Sequence, residues 1–87
     1  MRDFERPLKA LANRRRLSIL QLLKREREAT VGDIAASIRL SFRSTSRHLA
    51  ILAAADIVGR EQRGVEVFYH LARDQHSIVR SIITLLS

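Results

Sequence analysis

Ser41-Phe42-Arg43-Ser44-Thr45-Ser46-Arg47-His48-Leu49-Ala50-Ile51-Leu52 reads as one helix whose two sides need different surroundings. Ser41 is suited to the N-cap, because its hydroxyl accepts from the unpaired N–H groups of a first turn. At about 100° per residue, Phe42, Thr45, Leu49, Leu52 and Ala53 gather on one side, which is expected to face a core. Arg43 and Arg47 lie opposite, one turn apart, with Ser44 beside them and Ser46 and His48 on the flanks. No acid occurs between Asp33 and Asp56, so the free arc is basic, small and rich in hydroxyls. Such an arc fits a DNA major groove: serines permit close approach, and an arginine pairs bidentately with guanine or neutralises a phosphate. A solvated helix face is often composed in the same way, so the neighbouring segments have to decide between the two.

Upstream, Thr30-Val31-Gly32-Asp33-Ile34-Ala35-Ala36-Ser37-Ile38 predicts a short helix. Thr30 and Asp33 stand in a capping-box spacing with Asp in place of the usual Glu, and Ile34, Ala35 and Ile38 form the apolar side. Arg39-Leu40-Ser41 then turns directly into the basic helix, with Arg39 where a glycine is expected. Two short helices joined by a tight turn, the second basic on its free face, make a helix-turn-helix.

Four linked segments carry a wider resemblance. Ala10-Leu11-Ala12-Asn13-Arg14-Arg15-Arg16-Leu17-Ser18-Ile19-Leu20, Val31-Gly32-Asp33-Ile34-Ala35, Ser46-Arg47-His48-Leu49 and Val67-Phe68-Tyr69-His70-Leu71 follow in the order and spacing of the ArsR/SmtB winged-helix repressors. From about residue 6 onward the chain resembles that family. The resemblance implies a small homodimeric transcriptional regulator, usually a repressor released from its operator by a signal, with the first and last helices forming the dimer interface. It also implies an arginine at the position of Arg16. Pro and a small polar residue are usual where Arg14 and Arg15 stand, Gln and Ser or Thr where Phe42 and Arg43 stand, and Gly at Asp56.

The 87 residues argue for a single domain over 1–87 with only a modest core of its own. Sixteen Lys and Arg against nine Asp and Glu give a formal net charge of +7, which favours a polyanionic partner. The excess is spread widely: residues 1–29 carry nine basic and four acidic side chains, residues 30–73 six and four, and residues 74–87 are neutral. Without cysteine there is no disulfide, thiolate zinc site or thiol switch. No apolar run approaches the length that spans a bilayer, and Met1-Arg2-Asp3-Phe4-Glu5-Arg6 is charged where a signal peptide turns apolar, so a cytoplasmic protein without membrane contact is expected.

Pro7 suits the first turn of an opening helix over residues 7–12, with Leu8, Leu11 and Ala12 facing inward. Asn13 is placed to cap the next helix, which runs to about Arg27 on Leu17, Ile19, Leu20, Leu22 and Leu23. Arg14, Arg15 and Arg16 crowd its N-terminus, where the helix dipole disfavours cations; phosphate contacts, nearby acids or plain solvation would each account for them. Ile57–Gln62 and Val65–Leu71 predict a hairpin around Arg63-Gly64, a wing on which Arg60 and Arg63 reach phosphate or the minor groove. Asp74 is the expected cap of a last helix with Ile78, Val79, Ile82, Ile83, Leu85 and Leu86 on a broad apolar stripe, best covered by a second copy of the chain.

Relatives that sense metals place cysteines on the helix matching residues 31–38, or open the last helix with Asp-x-His and add His or Glu further on. The first is excluded here. Asp74-Gln75-His76 matches the opening pair, but the next ligand position, near residue 87, is Ser87, and His48 and His70 are too distant to complete a site. Neither metal nor cofactor is expected. Nor is an enzyme: there is no nucleophilic cysteine, no glycine-rich phosphate loop among three glycines, and no paired acids in a common cleft.

The sequence therefore predicts a mainly α fold with a small β-hairpin, a winged helix-turn-helix in the order α-α-α-α-β-β-α. Its function is sequence-specific regulation of transcription as a homodimeric repressor on a palindromic operator in double-stranded DNA. Arg43, Ser44, Ser46, Arg47 and His48 are the expected major-groove residues, and Arg60 and Arg63 the backbone contacts. Two alternatives remain at this level: a winged-helix module that binds protein, and sequence-independent compaction of DNA, which differs in combining steep salt dependence with little discrimination.

Overall fold

The computed structural model describes residues 3–87; Met1 and Arg2, the start of the charged N-terminal run, lie outside the described residues. The elements are α1 (Glu5–Leu11), α2 (Arg14–Glu26), β1 (Glu28–Thr30), α3 (Val31–Ile38), α4 (Phe42–Ala54), β2 (Val58–Arg63), β3 (Glu66–Leu71) and α5 (Ser77–Leu85). The five helices and the hairpin agree with the sequence, and β1 is an addition to it. This short strand pairs antiparallel with β3, Ala29 opposite Tyr69, so the wing is an antiparallel three-stranded sheet in the order β1-β3-β2. Three residues are too few to show an alternation; the strand exists because β3 offers a second edge.

Local chemistry sets the helix ends. Asn13 Oδ1 accepts from Arg16 N–H at 3.1 Å, Thr30 Oγ1 from Asp33 N–H at 3.2 Å and Ser41 Oγ from Ser44 N–H at 3.1 Å. Arg39 adopts a left-handed conformation, φ 56°, at the end of α3. Its N–H donates to Ala36 O and that of Leu40 to Ala35 O, the crossed pair of bonds of a Schellman ending. Asp56, φ 59°, ends α4 in the same way, with Asp56 N–H on Ala53 O and Ile57 N–H on Leu52 O. Gly64, φ 61°, opens the two-residue β2–β3 loop, a position where a side chain is strained.

One core unites the layers. Ile19, Leu20 and Leu23 of α2, Ile34 of α3, Leu49 and Leu52 of α4, Ile57 and Val79 are all essentially sealed from solvent. Thr45 is the one buried polar residue among those described, and its hydroxyl donates to Ser41 O at 2.8 Å. The ends of α4 and α5 are held by cations. Lys24 Nζ donates to the carbonyls of Ile83, Thr84 and Leu86, and the Arg6 guanidinium to Ala54 O at the close of α4, each favourable at a helix C-terminus.

Three expectations need correction. Helix α1 starts at Glu5, whose N–H donates to Asp3 Oδ1, two residues earlier than expected; Pro7, Ala10 and Leu11 are therefore buried, and Leu8 and Ala12 exposed. Phe42 is 63% exposed, not packed in the core: at the first position of α4 its side chain lines an open groove with Thr30, Val31 and Val67. The cap of α5 is His76, not Asp74: His76 Nδ1 accepts from Ile78 N–H at 3.1 Å while its ring meets Phe4 edge-on, 5.2 Å between centroids.

Candidate nucleic-acid interface

Helix α4 is mounted with Thr45, Leu49 and Leu52 on the core, which turns Arg43 and Arg47 outward. Both are exposed, and among the described residues neither has an acidic partner within ion-pair distance. Ser44 and Ser46 are half-buried beside the arginines, both with side chains shorter than the guanidiniums around them. An outer row of two free cations with small polar groups behind it presents donors to a polyanion and no carboxylate to repel it.

His48 occupies the flank toward α2. Its Nδ1 lies 3.2 Å from an Arg16 guanidinium nitrogen, so the ring stays neutral and accepts. Burial, and then the positive charges of Arg16, Arg15 and Arg47, hold its imidazolium pKa below the ordinary histidine value. Arg16 also donates through Nε to Ala10 O at 2.5 Å and through a terminal nitrogen to Lys9 O at 3.2 Å. One guanidinium thus connects the end of α1 to the middle of α4, a role that sequence spacing does not reveal.

The wing separates its two arginines. Arg60 and Arg63 are three residues apart on β2, and an odd offset along a strand places side chains on opposite faces. Arg60 is exposed on the face shared with Val67 and Tyr69, beside a groove of about 380 Å³ that Phe42 also lines. Arg63 lies on the other face. Its guanidinium grips Glu28 of β1 with two hydrogen bonds of 2.8 and 2.7 Å, meets Glu61 Oε1 at 2.5 Å and lies 4.6 Å from the centre of the Phe68 ring. The Arg63 hydrogen bond holds the Glu28 carboxyl below the ordinary carboxylate value, and both carboxylates raise the pKa of Arg63. Arg43 and Arg47 are thus exposed on α4, Arg60 is exposed on the wing, and Arg63 is employed in closing the sheet.

Gly59 has a steric task in that sheet. It stands opposite His70, and a Cβ there would come within 2.6 Å of the imidazole ring. Among the described residues no three His, Asp or Glu side chains come together to hold a metal, and no helix is long and apolar enough to cross a membrane.

Two helices across a left-handed turn, a basic outward face on the second, and a three-stranded wing beside it define a winged helix-turn-helix DNA-binding regulator. The model of the bacterial regulatory proteins of the arsR family matches residues 13–59. The chain belongs to that family.

Among its relatives, the transcriptional activator HlyU of Vibrio cholerae is 38% identical over 79 residues, spanning 91% of this chain and 69% of that protein. The transcriptional repressor SdpR of Bacillus subtilis is 38% identical over 63 residues, 72% of this chain and 69% of its own length. Reduced HlyU from Vibrio cholerae superposes with a TM-score of 0.80 at 37% identity, covering 93% of this chain and 81% of that one. The homodimeric winged helix-turn-helix DNA-binding domain of Mb0332 from Mycobacterium bovis gives 0.79 at 32% identity, over 92% and 70%.

Proposed function

We propose that two copies of this chain join through α1 and α5 and bind a palindromic operator in double-stranded DNA, repressing the adjacent promoter from the cytoplasm. The observation that carries this reading is the outward pair Arg43 and Arg47 on a helix otherwise anchored in the core, without acid partners among the described residues. In this reading Arg47 and Arg43 contact guanine edges or the phosphates bordering them, and Ser44 and Ser46 lie close enough to donate to the backbone. His48 flanks the groove and steadies Arg16. Arg60 meets backbone phosphate from the wing, while Arg63 acts indirectly by bracing the strands that carry Arg60.

Dimerisation is supported by apolar surface on the two terminal helices. Leu8 is 42% and Leu85 80% exposed, with Phe4 nearby and Ile78, Ile82 and Leu86 only half covered. The Mb0332 domain is described as homodimeric, and SdpR and the arsenical resistance operon repressor of Bacillus subtilis as repressors. A two-fold dimer sets its reading helices roughly 34–36 Å apart, one turn of DNA.

The test is selection of bound duplexes from a random library at two salt concentrations. An enriched palindrome with half-sites about one helical turn apart is the expected result. Binding without enrichment that collapses as salt rises identifies compaction instead, and absence of binding turns the reading toward a protein partner.

A further inference from the structure

A polar groove of about 410 Å³ runs between α2 and the end of α3. Arg14, Arg15 and Arg25 line it, with the polar side chains of Ser18, Gln21 and Ser37, and no Asp or Glu. Arg25 is engaged by Glu26 through its Nε at 3.1 Å, whereas Arg14 and Arg15 have no acid within ion-pair distance among the described residues. Their position compounds the excess. They open α2, a 13-residue helix whose first N–H groups already carry partial positive charge, so two unneutralised guanidiniums there raise the free energy of the chain alone.

The groove is joined to the reading helix by two routes. At its α3 end, Ser37 and Ile38 lead through Arg39 directly into Ser41, the cap of α4. At its α2 end, Arg15 is followed by Arg16, whose guanidinium lies 3.2 Å from His48 Nδ1 on α4. Basic side chains thus follow one another from His48 on α4 through Arg16 to Arg15 and Arg14 at the start of α2.

We propose that this groove is a second seat for DNA backbone phosphates, filled by the same duplex that lies against α4. It rests on the function proposed above and adds to it a partner for the two arginines that α2 leaves unneutralised. The chemistry is that of phosphate: guanidiniums donate two bonds each to its oxygens, neutral hydroxyl and amide groups complete the lining, and the positive end of the α2 dipole favours the anion. A bound phosphate removes the repulsion among Arg14, Arg15 and the helix terminus. The contact carries no base information, so it raises affinity equally for all sequences.

The experiment measures binding of duplex DNA by fluorescence anisotropy over a range of salt, on the selected operator and on a scrambled duplex. Every phosphate that the protein ceases to neutralise makes the log–log salt slope shallower by about 0.9, so Arg14→Gln/Arg15→Gln, present twice in a dimer, is expected to lower it by about 3–4 on both duplexes alike. Arg14→Lys/Arg15→Lys keeps the slope. So does Arg27→Gln/Arg73→Gln, which removes the same charge away from the groove. An unchanged slope in the first variant, or an equal change in the charge-matched control, overturns the inference; so does saturable binding of inorganic phosphate in the groove with DNA affinity untouched by the variant. If wild-type protein binds no duplex, the proposed function itself has failed. If it binds and Arg47→Ala weakens it while the double variant keeps its slope, only the second seat is refuted.

Discussion

Arg16 and His48, 32 positions apart, meet at 3.2 Å between a guanidinium nitrogen and Nδ1, and the same guanidinium holds the carbonyls of Lys9 and Ala10. The helix that exposes Leu8 and the helix that exposes Arg47 are therefore referred to one side chain. Arg16→Ala removes all three bonds, and partly buried bonds to a charged donor support a loss of about 2 kcal/mol in chemical denaturation. Arg16→Lys, a single ammonium without the planar fork, is expected to recover only part of that loss.

The acid–base behaviour of His48 follows from the same contact. Burial first, and then Arg16, Arg15 and Arg47, keep its pKa below 6.5. A histidine with a depressed folded pKa contributes stability that is complete above the unfolded value and is lost as pH falls from there through the folded one. NMR titration of the ring is expected to give a midpoint below the ordinary histidine value. Arg16→Ala should move the midpoint upward.

Arg47→Ala is expected to cost about 1–3 kcal/mol at the selected operator if the guanidinium pairs with a base. A uniform loss on all duplexes assigns it to phosphate. Binding indistinguishable from wild type removes α4 from the interface.

The wing clamp predicts an acid-sensitive sheet. Glu28 has its pKa lowered chiefly by the Arg63 hydrogen bond, so its contribution is present above the ordinary value of 4.5 and disappears as pH falls through the lower folded one. Amide exchange at Ala29 and Phe68 should quicken over that interval. In Arg63→Gln the Glu28 titration should return toward its ordinary position, and the wing should exchange faster at neutral pH.

Leu8→Asp and Leu85→Asp place charge on the apolar surfaces of α1 and α5. Sedimentation velocity is expected to show a shift from dimer to monomer, with operator affinity falling in parallel. Retention of the dimer would place the interface elsewhere.

Much of the architecture is legible because it is written locally. Asn13, Thr30 and Ser41 are caps by residue type, Arg39 and Asp56 mark helix ends by position, and the apolar spacing of Leu49 and Leu52 sets the face of α4. The basic outer arc comes with that face. What sequence does not supply is long-range: Glu28 is an ordinary exposed acid until β1 brings it under Arg63, and Arg16 is one of three adjacent arginines until folding selects it for His48. Phe42 misleads because periodicity counts an apolar residue at a helix start as core, although here it borders an open groove beside the wing. His76 displaces Asp74 as a cap because Nδ1 accepts an N–H as a carboxylate does, and Phe4 holds the ring in place.

The pairing of Glu28–Thr30 with Phe68–His70 has a kinetic meaning as well. It fastens together two points of the chain between which lie α3, α4 and β2, so the whole DNA-reading segment becomes a closed loop. Zipping that loop shut requires contacts some forty residues apart, a slow event compared with forming either helix of the pair. The seam is expected to close late in folding and, being only three residues long, to open early, releasing both ends of the segment at once. Opening of the small seam is expected to loosen the start of α3 first, while Thr45, Leu49 and Leu52 keep α4 seated on the core.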